Sequence, residues 1–172
     1  MTEAAGAEAC AAFGAPADQH KKFEPFVGTF KAQVKMWMGP GDPHVSTGVM
    51  TNSFDLGGRF LRQVYKGDPG DGPFPNFEGR GFWGYSTVDK RYEGFWIDTA
   101  CTFMQHEVGE VDATGNVWTM RGEMTAPGGS GQMAKRSVIR LIDTDHHSME
   151  MFFTMPGGAE SKAMAIEYTR AR

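Results

Sequence analysis

Residues 77–98 read FEGRGFWGYSTVDKRYEGFWID. Gly79, Gly81 and Gly84 have the G-x-G-x-x-G spacing of a dinucleotide-binding turn, and Asp98 falls near the place where such a fold keeps an acid for the ribose. That turn works only if its third glycine opens a helix, because the helix N-terminus holds the pyrophosphate. Gly84 is followed instead by Tyr-Ser-Thr-Val-Asp-Lys, a turn, and then by another strand-like run. No helix is available, so the dinucleotide reading fails. In an extended strand Gly79, Gly81, Trp83 and Tyr85 share one face. Small residues on one face let a strand bend sharply or accept a close neighbour, as closure of a barrel requires.

The same texture runs through the chain. Strands are expected near 29–38, 45–55, 59–67, 77–86, 91–98, 102–111, 116–126, 132–142, 147–155 and 161–170. Between them stand GPGDP (39–43), GDPGDGPFP (67–75), STVDK (86–90), DATGN (112–116), APGGSG (126–131), DTDHH (143–147) and PGGAE (156–160). No intervening segment is long and periodic enough for crossover helices, which excludes parallel pairing and leaves an antiparallel meander. The expected fold is all-β: one antiparallel barrel of about ten strands over residues 18–172. Ahead of it, Asp18 is expected to cap a short helix over 19–26 that plugs or covers the barrel, and residues 1–17, rich in Ala and Gly, read as a flexible leader.

Composition narrows the function. A chain of 172 residues is one domain with a core large enough to need no staples. Its two cysteines, Cys10 and Cys101, are far apart and read as free thiols of a reducing cytoplasm. The net charge is −4 with no basic stripe, so nucleic acid is not an expected partner. The N-terminal residues lack the basic and apolar regions of a signal peptide, and no apolar run could span a bilayer, so no membrane insertion is expected. Homodimer formation is left open.

Alternation shows which residues look inward. Phe30, Ala32, Val34, Met36 and Met38 oppose Lys31, Gln33 and Lys35; Trp118, Met120 and Met124 oppose Arg121 and Glu123. Met149, Met151, Phe153 and Met155 form another such face, as do Met164, Ile166 and Tyr168. Twelve methionines, most at inward positions, make either an adaptable core or the soft wall of a cavity.

HKKFEPFVGTF, KMWMGPGDP, LGGRFL (56–61), FEGRGFWGY with Tyr92, Trp96 and Asp98 after it, and the terminal MAIEYTR together resemble the bacterial family known as domain of unknown function 1579. The resemblance spans about residues 20–170. It implies a lipocalin-like, calycin-type barrel similar to the fatty-acid-binding proteins, and it lends no activity. It also implies Trp where Phe30 stands and Asp where Ser86 stands, so no role is assumed for those two positions.

The function expected is binding of a small hydrophobic or amphipathic molecule inside the barrel, without cofactor or metal. Met36, Trp96, Met104, Met120 and Met151 are the expected wall, with His106 and Arg62 as polar handles. His106 is in phase with Met104 and Val108, and Arg62 with Phe60 and Val64, where a guanidinium could fork onto a ligand carboxylate. Two alternatives use the same cavity. One is a cofactor-independent isomerase or cyclase, with His106 as acid or base and Arg62 stabilising an anion; the other binds haem through His106. His146 and His147 are adjacent and would point to opposite faces, so they do not make a metal pair. No G-x-S-x-G, H-E-x-x-H or catalytic-cysteine context occurs.

Overall fold

A computed structural model describes residues 13–172. Its strands are β1 (Gly28–Met36), β2 (His44–Asp55), β3 (Phe60–Gly67), β4 (Glu78–Ser86), β5 (Arg91–Asp98), β6 (Gln105–Val111), β7 (Val117–Thr125), β8 (Gln132–Leu141), β9 (His146–Thr154) and β10 (Glu160–Arg170). Each pairs antiparallel with the next, and β1 also pairs with β10, from Phe30 opposite Arg170 to Met36 opposite Met164, so the sheet closes on itself. The expected all-β barrel of ten strands is the fold observed. Residues 102–104, expected at the start of β6, lie instead in the loop before it, because the Asp98 carboxylate accepts the Ala100 N–H and turns the chain there. The expected leader lies largely outside the described residues, as does Cys10; Cys101 is a free thiol.

The helical segment is shorter than expected. Pro25 has no N–H to continue a helix, and the segment splits into a helix α1 (Asp18–Lys21) and a 3-10 turn over Glu24–Phe26. Asp18 is not the cap: its carboxylate pairs with Lys21 at 2.8 Å, and Ala17 occupies the cap position. The segment closes one end of the barrel. Phe23 meets Tyr92 edge-on at 5.7 Å, and Phe26 meets Trp118 edge-on at 5.3 Å. Leu61, Met120 and Ile139 complete this buried cluster. The wall holds the plug by hydrogen bonds. Asn52 Nδ2 donates to the Phe26 carbonyl at 2.9 Å, while Arg170 donates from Nη1 to Val27 at 2.7 Å and from Nη2 to Pro25 at 2.8 Å.

Gly79 and Gly81 point inward opposite Asp98 and Trp96. The Trp96 indole lies across both; a methyl group at Gly81 would sit 2.6 Å from its Cε3. The glycines therefore give the indole its place against the wall, which is the close approach their spacing suggested.

Removing the plug ring should be felt throughout. Phe26→Ala is expected to cost about 3–5 kcal/mol, the usual range for a fully buried phenylalanine, read in denaturant unfolding as a lower midpoint with an unchanged slope.

Candidate functional site

Beyond the plug the barrel is not filled. A cavity of about 600 Å³ runs from Phe26 to the mouth, where residues 67–74 form part of the rim. That volume is in the range of small-molecule sites. Its two sides differ in chemistry.

The side formed by β1, β2, β9 and β10 presents Val34, Met36, Met50, Met149, Met151 and Met164. Met36 lies directly opposite Met164, and Met164 opposite Met151, so three thioethers stand in a row across adjacent strands. Unbranched side chains there can reshape around a guest at little cost.

The other side carries a polar network. Trp96 Nε1 donates to Asp98 Oδ2 at 2.9 Å, and Gln105 Nε2 reaches the same oxygen at 3.3 Å. Lys135 Nζ donates to Gln105 Oε1 at 2.9 Å and lies 3.2 Å from Glu107 Oε2, while Ser137 Oγ donates to Glu107 Oε1 at 2.6 Å. All of these residues face the cavity, and the Lys135 side chain is only 3% exposed. Lys135 is on β8 and its partners are on β6, with β7 between. The connection is allowed by Gly122, which lies opposite Lys135 and has no side chain to block the crossing. A Cβ there would overlap the His106 carbonyl and lie 3.3 Å from Glu107 Cγ.

His147 lies deeper, on the same lining. Its ring stacks on Tyr168 at 4.3 Å and meets Phe30 and Phe26 edge-on at 4.6 and 5.1 Å. Burial, with a smaller contribution from the nearby Arg170 guanidinium, pushes the imidazole down to about 3. It is therefore neutral near pH 7, and it makes no side-chain hydrogen bond among the described residues. Burial likewise pushes the Tyr168 phenol up.

Of the residues expected to form the wall of a ligand site, Met36, Trp96 and Met151 line the cavity. Met120 faces inward in the packed cluster beneath the cavity. Met104, Arg62 and His106 require correction. Met104 is in the loop before β6 and 63% exposed. Arg62 and His106 are exposed on the outside, because the register places Leu61, Gln63 and Tyr65 of β3, and Gln105, Glu107 and Gly109 of β6, on the inner face. The two are the ends of one outer row, Arg62, Phe82, Phe95 and His106, each directly opposite the next. Sequence reasoning missed Gln105, Glu107, Lys135, Ser137 and His147 as a group. Phase alone could have found Lys135 and Ser137, which alternate with Met133 and Ile139, and His147, which alternates with Met149 and Met151. His146 turns outward and bonds Asp143 at 2.9 Å. Among the described residues no group of three or more His, Cys, Asp or Glu side chains could hold a metal ion. No helix among them is long and apolar enough to cross a membrane.

These features define a closed ten-stranded antiparallel barrel, plugged at one end and hollow at the other, with a polar strip on one wall. The chain belongs to the family described as Protein of unknown function (DUF1579), whose model matches residues 15–170; its closed barrel is consistent with the lipocalin-like expectation. The crystal structure of Rv2717c from M. tuberculosis is similar in fold, with a TM-score of 0.66 at 16% identity, covering 92% of this chain and 100% of that one. A redesigned β-barrel matches with a TM-score of 0.45 at 13% identity, over 87% of this chain and 94% of its own. No curated protein matches the chain.

The buried imidazole sets a pH dependence. Its folded value lies below the unfolded value of 6.5, so the unfolded chain takes up the proton first and the stability held above pH 6.5 is lost as pH falls toward about 3. The loss approaches about 1.4 kcal/mol per pH unit inside that window. His147→Phe should flatten the stability profile between pH 6.5 and 5, above the range where the carboxylates titrate; denaturant midpoints across that range measure it.

Proposed function

We propose that this protein binds a small molecule with an apolar body and at least one polar group inside the barrel. The observation that carries the reading is the asymmetry of the cavity, in which a methionine wall faces a hydrogen-bonded strip containing a buried ion pair. A buried ion pair contributes little to stability, and an apolar replacement of similar volume is often neutral or better. Placing Lys135 and Glu107 on a cavity wall gains meaning if a guest uses them. Apolar contact would supply most of the affinity, at roughly 25 cal/mol per Å² removed from water, and the strip would set the orientation. The outward position of His106 removes the group on which the enzyme and haem readings depended, since its ring lies against Phe95 on the outer surface.

A neutral solvatochromic dye tests occupancy of the hollow. Saturable blue-shifted emission is expected with the native chain. Met151→Trp, which adds bulk to the wall without adding charge, should weaken binding by about tenfold or more, a change of about 1.4 kcal/mol. Thermal melting should show the variant still folded. Dye binding untouched by the added indole would place the dye elsewhere and end the proposal.

A further inference from the structure

We infer that the polar group the cavity takes is a cation or hydrogen-bond donor, an amine or hydroxyl on an apolar body, and that carboxylates are rejected. The inference rests on the cavity being a ligand site and adds the sign of its ligand.

The charges on the lining are unequal. Asp68, Asp71, Asp98 and Glu107 line the cavity, whereas Lys135 is its one ammonium and no arginine lines it. Lys135 is already committed, donating to Gln105 and having its charge neutralised by Glu107 at 3.2 Å. The arginines of the neighbouring strands are engaged elsewhere. Arg136 and Arg140 pair with Glu160 and Glu150, and Arg170 is spent on the carbonyls of Pro25, Val27 and Thr144. An incoming carboxylate would meet like charge in a site poor in water, where Lys135, already neutralised by Glu107, is the one ammonium and the other donors are neutral groups such as the Tyr65 and Tyr168 hydroxyls.

The carboxylates of the strip, by contrast, keep free lone pairs. A carboxylate offers about four lone-pair positions. Asp98 has three donors on it, from Trp96, Gln105 and Ala100, and Glu107 has one, from Ser137, beside its ion pair with Lys135, so both can still accept. His147, 5% exposed and on the same lining, has no side-chain hydrogen-bond partner among the described residues; held neutral, it offers one acceptor nitrogen and one N–H, which suits a hydroxyl or amine and supplies no positive charge to a carboxylate. The remaining wall includes Tyr65, Phe77, Trp83 and Trp96, whose ring faces attract a desolvated cation.

Decylamine, decanol and decanoate have equal tails and differ in head group. Calorimetric titration at neutral pH and low salt, below their micelle concentrations, is expected to rank them in that order, with about tenfold or more between amine and decanoate. Glu107→Gln should narrow the gap. The exposed mouth pair Asp68→Asn with Asp71→Asn, which carries no folding risk of the buried variant, should narrow it further and reduce its salt dependence. Decanoate binding as tightly as the amine, or a gap that neither variant changes, overturns the inference and leaves the ligand site standing. Binding of none of the three, with no dye bound either, removes both.

Discussion

The ladder from Phe30–Arg170 to Met36–Met164 joins the first and last strands, and the interior depends on it. Eight strands make a barrel that side chains can fill, and each added strand widens it. With ten, inward residues cannot all meet across the axis. The chain resolves this differently at its two ends. At one end the segment before β1 folds into the opening, so Phe23 and Phe26 supply the volume the walls lack. Arg170, at the end of the closing strand, binds carbonyls on that segment roughly 145 residues earlier in the chain. Closure and plugging are thus coupled, since the same residue belongs to the seam and grips the plug. Contacts of such sequence separation form late in folding, because loop closure is unfavourable until much of the sheet is in place.

At the other end the excess width stays as space, and residue types divide accordingly. Trp118, Leu61 and the inward-facing Met120 occur where packing is complete, whereas Met36, Met151 and Met164 occur where it is not. Methionine suits the second setting because it tolerates an irregular surface without one preferred shape. The polar strip also belongs to the hollow half. In a filled core the great majority of buried hydrogen-bonding groups find a partner in the protein or an ordered water, and at the plugged end only Trp118 Nε1 and Asn52 Oδ1 lack one among the described residues. The groups on this strip, and His147 below them, keep capacity that the protein does not use.

The strands were legible from the sequence because their separators are chemically explicit: Gly57 and Gly58 adopt positive φ in the turn before β3, and Gly115 does so in the turn before β7. The faces of β3 and β6 were not. On β3 both faces are apolar, with Phe60 and Val64 outside against Leu61 and Tyr65 inside, so alternation carries no direction and only pairing with β4 decides it. On β6 the direction is reversed. Its inner face holds Gln105 and Glu107 and its outer face His106 and Val108, so the apolar-inside rule selects the wrong side. The helical segment failed for another reason, since phenylalanine spacing outweighed Pro25 in the reading but not in the chain.

That reversal has a physical cause which also explains why no motif marks the site. A spacing motif works when one local element carries several functional groups. Here Trp96 and Asp98 come from β5, Gln105 and Glu107 from β6, and Lys135 and Ser137 from β8, and they meet only because the closed sheet sets their register. The residue that lets β8 reach β6 is Gly122, which adds no group to the site and resembles an ordinary weak point in a strand. Glu107 makes β6 look inverted because its partner is two strands away and 28 residues later in sequence. Once Lys135 is placed opposite a glycine, the inward carboxylate is paired rather than stranded, and the polar face of β6 becomes the side that must point into the hollow.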